Sequence, residues 1–210
     1  MNFNILIAGV GGQGNLFASA ILAEYFMSQG YQVLAVETIG AAQRGGSVIS
    51  HLRVSDSDLY SPLIPAGKVD ILVGFEILEM LRNFRMLATD GTYLLNDYKD
   101  PTVLCNMELD TYPSDENIRE ALQKSGRKGY IIKATERARE AGGSLLTNVV
   151  MVGALCQLSL LFNSREVKRV LTHKSPEKVR ELNLKAFEAG GVLALEVMKQ
   201  SPTRGYLGQG

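Results

Sequence analysis

The amino-terminal part of the chain alternates between short apolar runs and a longer segment with helical spacing. The mostly apolar residues 4–8 predict a buried parallel strand. Apolar residues recur at helical spacing from Leu16 onwards and predict a helix that ends near Gly30. A second strand is predicted over 31–37. These three elements form a βαβ unit, for which the expected crossover is right-handed.

The middle of the chain continues the alternation of strands and helices. Between Ser47 and Ser55 polar and apolar residues alternate, which predicts a strand whose polar face carries His51 and Arg53. Residues 61–65 include two prolines and predict an extended connection, because proline removes a backbone donor and restricts the residue before it. The other predictions are strands over 70–75, 92–96 and 130–134, a turn at Asp90-Gly91, and helices over 76–87 and 115–124.

The carboxyl-terminal third is predicted to be helical. Helices are expected over 145–162 and 164–171, and Ser175-Pro176 is typical of the start of a third. The segment 145–162 is apolar enough to raise the question of a membrane span. Polar residues such as Asn148 interrupt it, however, and no basic flank follows the insertion pattern. A buried core or interface helix is therefore predicted.

These elements predict an α/β protein with a three-layer, Rossmann-like sheet. The sheet is expected to be mostly parallel, with at least one possible antiparallel strand. A helical C-terminal part is expected to follow it. A chain of 210 residues is long enough for one substantial α/β domain. We therefore expect a single domain over 1–200 and a flexible tail over 201–210.

Charge and targeting signals restrict the kinds of partner. The 22 basic and 22 acidic residues cancel, so no overall field would attract nucleic acid or an anionic membrane. Neither partner is expected. The N-terminus does not have the succession of basic, apolar and small residues that is typical of a signal peptide. We therefore expect a cytoplasmic protein whose partners are recognised locally.

Few residues qualify as metal ligands or catalytic groups. Cys105 and Cys156 are the two cysteines, and a cubane iron–sulfur cluster needs four thiolates, so the chain by itself cannot hold one. His51 and His173 have no nearby acid or cysteine cluster in the sequence, as a metal site would require. No Ser-His-Asp or Cys-His set can be assembled either. No catalytic residue and no metal ligand is assigned.

A glycine-rich loop between the first strand and the first helix is the main candidate site. Its spacing is G-x-G-x-x-G, and Glu37 follows at the end of the second strand, where dinucleotide folds bind ribose hydroxyls. The chain could therefore be a free-standing NAD(P)- or FAD-binding oxidoreductase. Alternatively, the glycines only allow the strand and the helix to pack closely. The residues are Gly9, Gly11, Gly12, Gln13 and Gly14.

A second glycine patch, Gln43-Arg44-Gly45-Gly46-Ser47, is not required by a dinucleotide site. An arginine flanked by glycines offers a bidentate donor beside exposed backbone N–H groups, which suits a phosphate or a carboxylate. A Rossmann enzyme would usually begin its second helix after Glu37, whereas here a glycine loop and another strand follow. This departure argues against NAD.

Together, the two glycine patches resemble a known family. The pattern running from Gly9 to Gly14, and then from Glu37 through Ala42-Gln43-Arg44-Gly45-Gly46-Ser47 to His51 and Arg53, is similar to the gamma-type subunit or domain of the 2-oxoacid:ferredoxin oxidoreductases, and within it to the indolepyruvate type. Further matching positions extend over nearly the whole chain: Ser61-Pro62-Leu63-Ile64-Pro65, Glu76, Glu79, Arg82, Asn96, Asn148, Gly153, Asn183 and Gly190.

The resemblance implies a subunit of a thiamine-diphosphate-dependent enzyme. Such an enzyme decarboxylates a 2-oxo acid, here indolepyruvate or another aryl pyruvate, transfers the acyl group to coenzyme A, and reduces ferredoxin. It implies that thiamine diphosphate, Mg and the 4Fe-4S clusters lie on a large partner subunit, and that no cofactor is bound by this chain alone. The isolated chain is expected to be inactive, and a homodimer is an open alternative.

The resemblance also groups the candidate residues into one cofactor-binding or subunit-interface surface. Open α/β sheets bind ligands at the carboxyl ends of their strands, where both glycine patches are predicted to lie. That surface would meet the thiamine-bearing subunit or a coenzyme A phosphate, with Arg44 as the charged anchor. Its residues are Gly9, Gly11, Gly12, Gln13, Gly14, Glu37, Gln43, Arg44, Gly45, Gly46, Ser47, His51 and Arg53.

Overall fold

The computed structural model describes residues 2–40, 45–107 and 109–200. Its strands are β1 (Asn2–Val10), β2 (Gln32–Ile39), β3 (Ser47–Ser55), β4 (Val69–Gly74), β5 (Leu87–Asn96) and β6 (Lys128–Ile132). Its α-helices are α1 (Asn15–Ser28), α2 (Ile77–Asn83), α3 (Val103–Asn106), α4 (Asp115–Lys124), α5 (Ala134–Ala141), α6 (Thr147–Leu158), α7 (Ser164–Lys174) and α8 (Glu177–Gln200). The tail predicted over 201–210 lies outside the described residues.

The six strands form one mixed sheet in the order β2-β3-β1-β4-β5-β6. Strands β1, β4, β5 and β6 pair in parallel, whereas β3 is antiparallel to both β1 and β2. Helices α1, α5, α6, α7 and α8 contribute buried apolar side chains to one face, and α2 and α4 to the other. The predicted three-layer, mostly parallel fold with an antiparallel strand is confirmed.

The βαβ prediction needs one correction, because β2 does not pair with β1. The two strands run in the same direction, but β3 lies between them and is bonded to both. The short connection between β2 and β3 accounts for the antiparallel pairing of these two strands. Only residues 40–46 join them, and a parallel crossover needs roughly a dozen residues. Strand β3 therefore turns back along β2 and fills the position next to β1.

The region around Asp90-Gly91 is a strand, not a turn. Strand β5 begins at Leu87 and runs through both residues, and the predicted helix over 76–87 is divided into α2 and a 3₁₀ turn at Phe84–Met86. A Cβ atom on Gly91 would lie 2.6 Å from the Val69 carbonyl oxygen. This glycine therefore reflects a close approach of two strands, at the place where the register of β4 and β5 shifts.

The predicted helix over 145–162 is shorter and lies in the centre of the helical layer. A 3₁₀ turn at Ser144–Leu146 leads into α6, and almost every residue of α6 is buried. Helix α5 was not predicted, because its core positions are Ala134 and Ala138, and alanines give a weak apolar pattern. Across the described ranges, no helix combines the length and the apolar character needed to cross a membrane.

Helices α6 and α8 approach each other closely at two glycines. A Cβ atom on Gly190 would lie 2.0 Å from the carbonyl oxygen of Val150, and one on Gly153 would lie 2.0 Å from that of Phe187. Real Cβ atoms do not make such contacts with backbone, so the helices could not keep this separation with any larger residue. The contact fixes α6, whose first turn reaches the candidate site.

We predict that Gly190→Ala lowers the free energy of unfolding by about 2 kcal/mol or more, because the added methyl group forces the two helices apart. The adjacent Gly191→Ala is the matched control, since its Cβ would lie 4.0 Å from the Gly153 carbonyl oxygen, an ordinary van der Waals distance. In that helical position alanine should be neutral or stabilising by up to about 1 kcal/mol. Urea unfolding measures both. Equal stability of the two variants would contradict the proposed close contact.

Candidate functional site

The first glycine loop, residues 11–14, connects β1 to α1 at the carboxyl edge of the parallel strands. Gly14 is the N-cap of α1 and has a φ of 83°, in the left-handed region that favours glycine. A Cβ atom on Gly14 would lie 2.1 Å from Nδ2 of Asn148, in the first turn of α6. This glycine is therefore needed for the turn and for the approach of α6, whether or not a ligand binds.

Gln13 fastens the loop at two points. Its Oε1 accepts a hydrogen bond from the Val10 backbone N–H at 2.9 Å, which closes the turn after β1. Its Nε2 donates to Oδ2 of Asp100 at 3.0 Å, in the segment that follows β5. The side chain is thus held between β1 and this segment.

The described part of the second glycine patch lies directly against the first loop. The Gly11 N–H donates to the Gly46 carbonyl oxygen at 2.8 Å, and the Gly45 N–H donates to the Gly11 carbonyl oxygen at 3.2 Å. The Gly45 carbonyl oxygen accepts from the Val103 N–H at 3.0 Å, which ties the patch to α3. We call residues 11–14 and 45–47 the glycine surface. Gln43 and Arg44 lie outside the described residues.

The dinucleotide alternative is not supported by this arrangement. Glu37 lies on β2 and pairs with Ser50 of β3, so it is separated from β1 by a whole strand, or roughly 10 Å between strand axes. In a Rossmann site the acidic strand lies next to the strand that carries the glycine loop. In addition, the Gly11 N–H already donates to Gly46.

A cleft of about 230 Å³ opens beside the glycine surface. Gly12 and Gln13 before α1, Thr135 in the first turn of α5, and Thr147 at the start of α6 line it. Three helix N-termini therefore border the cleft, and their partial positive charge favours anionic groups. A larger groove of about 500 Å³ lies at the amino ends of the strands, away from the edge where α/β sheets place ligands.

Asn96, at the end of β5, forms hydrogen bonds with two of the residues that line this cleft, Phe75 and Thr135. Its Nδ2 donates to the Phe75 carbonyl oxygen at 3.0 Å and to Oγ1 of Thr135 at 2.9 Å. Its Oδ1 accepts from the Thr135 backbone N–H at 3.2 Å, so it caps the first turn of α5. The carboxyl ends of β4 and β5 are thereby joined to α5.

His51 and Arg53 share a face of β3, but the chain itself covers that face. His51 is buried, and its Nδ1 accepts a hydrogen bond from the Ile64 backbone N–H at 3.3 Å. Arg53 donates to Oδ1 of Asn4 at 3.2 Å and to the Ser61 carbonyl oxygen at 2.7 Å. The connection over 61–65 thus packs on both residues, away from the glycine surface.

Two buried glutamates lie beneath the glycine surface. Glu76 and Glu79 have no exposed surface, and Glu76 caps α2 by accepting the Glu79 backbone N–H at 2.9 Å. Burial raises the pKa of the Glu76 carboxyl group above its ordinary value, although hydrogen bonds from Tyr112 and two backbone amides oppose that rise. Sequence reasoning gave these glutamates no role, since only the tertiary structure places them under the glycines.

We predict that His51 makes the protein less stable in acid. Burial lowers the pKa of His51 below its ordinary value of 6.5. Below that pH the unfolded chain binds a proton at His51 before the folded chain does, so the free energy of unfolding falls as the pH falls. Protonation would also end the hydrogen bond that Nδ1 accepts.

The measurement is urea unfolding at pH 7.5 and pH 5 for the unaltered protein, His51→Gln and the control His173→Gln. The loss of stability between the two pH values should be smaller in His51→Gln than in the unaltered protein, and should be retained in His173→Gln. An equal loss in all three proteins would show that His51 does not contribute.

The chain is similar to known proteins over almost its whole length. The family model for pyruvate ferredoxin/flavodoxin oxidoreductase matches residues 4–192. The indolepyruvate oxidoreductase subunit IorB of Pyrococcus horikoshii is 37% identical over 198 residues, which cover 93% of this chain and 98% of that protein. The same subunit of Archaeoglobus fulgidus is 38% identical, with 90% and 94% covered.

A solved structure agrees with these relationships. The 2-oxoglutarate:ferredoxin oxidoreductase of Magnetococcus marinus, solved with 2-oxoglutarate, coenzyme A and succinyl-CoA bound, superposes with a TM-score of 0.70 at 25% identity. The match covers 93% of this chain but 31% of that longer chain. The fold described here therefore also occurs as one part of a larger polypeptide. The chain belongs to the pyruvate ferredoxin/flavodoxin oxidoreductase family.

Proposed function

We propose that this chain is the small, non-redox subunit of a thiamine-diphosphate-dependent 2-oxoacid:ferredoxin oxidoreductase. The complex would oxidatively decarboxylate indolepyruvate or another aryl pyruvate to the acyl-CoA and pass the electrons to ferredoxin. The observation that carries the proposal is the match to 98% of a protein named as an indolepyruvate oxidoreductase subunit. On its own the chain is proposed to be inactive.

The side chains of this chain support the proposal that the cofactors are bound by a large partner subunit. Cys105 and Cys156 are the two cysteines of the sequence, and a cubane cluster takes four thiolates. In the described part of the chain, no three His, Cys, Asp or Glu residues are grouped so that they could hold a metal ion. We assign thiamine diphosphate, Mg and the 4Fe-4S clusters to the large subunit, with coenzyme A as co-substrate and ferredoxin as acceptor.

The surface proposed to meet the large subunit is the carboxyl edge of the sheet around the glycine surface. Large apolar side chains are exposed there on separate elements: Leu16 in α1, Ile39 at the end of β2, Met107 after α3, and Leu145 at the cleft. Exposed apolar residues that gather around a polar site are typical of a protein interface. The structure buries Gly9 within β1, where it pairs with Val48, so this predicted residue lies beneath the surface and not on it. Arg44 is proposed to bind a carboxylate of the partner or a phosphate of coenzyme A.

We predict that Leu145→Asp weakens the complex with the co-expressed large subunit at least tenfold, because a charge would replace an apolar contact that is 85% exposed in the isolated chain. Leu160→Asp is the matched control. It replaces an equally apolar side chain that is 67% exposed beyond the other end of α6, about 18 Å away along the helix axis. Co-purification and titration of the two subunits measure the effect.

Failure of the unaltered chain to co-purify with the large subunit, together with full activity of the large subunit alone, would contradict the proposed function. Loss of binding in Leu160→Asp but not in Leu145→Asp would instead place the interface at the opposite end of the molecule.

Substitution of Arg44 tests whether the two glycine segments bind a partner or a ligand, in addition to packing against each other. If Arg44 binds an anionic group in the complex, Arg44→Ala should reduce turnover at limiting coenzyme A or weaken the complex by roughly five- to tenfold, as expected when a charge-assisted hydrogen bond is lost. Lys174→Ala, which removes an ion pair with Glu24 instead, is the control. If the chain were instead a purely structural homodimer whose glycine loops only pack, Arg44→Ala would change neither partner binding nor turnover.

A further inference from the structure

The buried carboxyl groups of Glu76 and Glu79 carry a cost that fold stability alone does not explain. Removing a charge from water is expensive, and a well-packed apolar pair in the same place is often as stable or more stable. Both side chains lie in or next to the first turn of α2, directly after β4. Each of their carboxylate oxygens accepts at least one hydrogen bond, and two of the donors, the Ser47 hydroxyl and the Asp100 backbone N–H, belong to segments that form or contact the glycine surface.

Glu79 reaches the second glycine patch. Its Oε2 accepts a hydrogen bond from Oγ of Ser47 at 2.5 Å, and its Oε1 forms an ion pair with Arg82. Arg82 in turn pairs with Asp110, which leaves its charge shared between two carboxylates. Ser47 directly follows the two glycines whose backbone groups exchange hydrogen bonds with Gly11. A single side-chain hydrogen bond, donated by Ser47, therefore connects Glu79 to the contact between the glycine segments.

Glu76 reaches the first glycine loop from the other side. Its Oε1 accepts the Asp100 backbone N–H at 3.2 Å and the hydroxyl of Tyr112. The carboxylate of the same Asp100 accepts from Nε2 of Gln13 at 3.0 Å. Because Glu76 also binds the Glu79 backbone N–H, the two glutamates form one network.

These bonds close a ring. It passes from Gln13 through Asp100, Glu76, Glu79 and Ser47, and returns across the backbone bonds between the two glycine segments. In a closed ring of this kind, neither glycine segment can shift without breaking a hydrogen bond that is at least partly buried, and such a loss is costly where water is largely excluded.

We infer that Glu76 and Glu79 are positioning residues that hold the two glycine segments in the single arrangement presented to the partner. Glu79 acts through Ser47, and Glu76 acts through Asp100 and Gln13. The inference deepens the proposed function and rests on it for the identity of the partner. The positioning itself is a property of the isolated chain and can be measured there.

Amide hydrogen exchange on the isolated chain tests the positioning without any partner. Glu79→Gln and Ser47→Ala should each increase exchange at the Gly11 and Gly45 N–H groups about tenfold, since each removes a bond that holds the segments together. Exchange in α6 should not change. Glu188→Gln in α8, which removes only an exposed ion pair with Lys168 of α7, is the control and should leave both glycine amides protected. Unchanged protection in Ser47→Ala would overturn the inference.

A double-mutant cycle with the co-expressed large subunit tests whether Glu79 acts through Ser47. Each single variant should weaken the Kd about tenfold, and the double variant Glu79→Gln/Ser47→Ala should be weakened no more than about twofold beyond either one. Independent effects, which would multiply to about a hundredfold, would overturn the inference and indicate a general loss of stability.

The two experiments separate the possible failures. If the unaltered chain does not bind the large subunit, the proposed function fails, and hydrogen exchange still decides whether the glutamates position the glycines. If Glu79→Gln does not fold, Ser47→Ala alone decides, because its hydroxyl is replaced without burying or removing a charge. Ser47→Ala with unaltered Kd would overturn the inference even though the partner binds.

Discussion

The position of β3 between β1 and β2 determines how the carboxyl edge of the sheet is built. Because β3 is antiparallel to β1, its first residue, Ser47, pairs with Val10, the last residue of β1. The glycines that precede Ser47 therefore meet the glycines that follow Val10, and two backbone hydrogen bonds join them. If β2 were next to β1 instead, Glu37 would occupy this place and the site would have the plan of a dinucleotide fold.

The buried carboxylates of Glu76 and Glu79 stabilise this carboxyl edge of the sheet. The contact between the glycine segments consists of backbone groups alone, and glycines are the residues with the greatest freedom to move in a loop. The carboxylates of Glu76 and Glu79 constrain that freedom at the cost of their desolvation, which Arg82, Tyr112 and backbone donors offset. A surface that must fit a large partner benefits from such preorganisation, because less freedom is lost on binding.

Most of the elements were predictable because their signals are local. Apolar runs and helical spacing predicted the long helices and five of the six strands to within two residues at each end, whereas the strand predicted over 92–96 begins five residues earlier, at Leu87. Ser114 caps α4, as its position before an acidic turn indicates. The errors have local causes too. Alanine supplies too little contrast for α5, and Asp90-Gly91 has the composition of a turn although it lies within β5.

The sequence by itself determined the family, the α/β class and the glycine residues of the candidate surface, because motifs and periodicities are local patterns that can be recognised from residues close together in the chain. Only the tertiary structure decided the strand order, the covering of His51 and the network through Glu76 and Glu79. These features depend on pairing between segments that are far apart in the chain. The sequence does not distinguish a buried glutamate from a solvated one, because the difference arises from how the folded chain packs around the side chain.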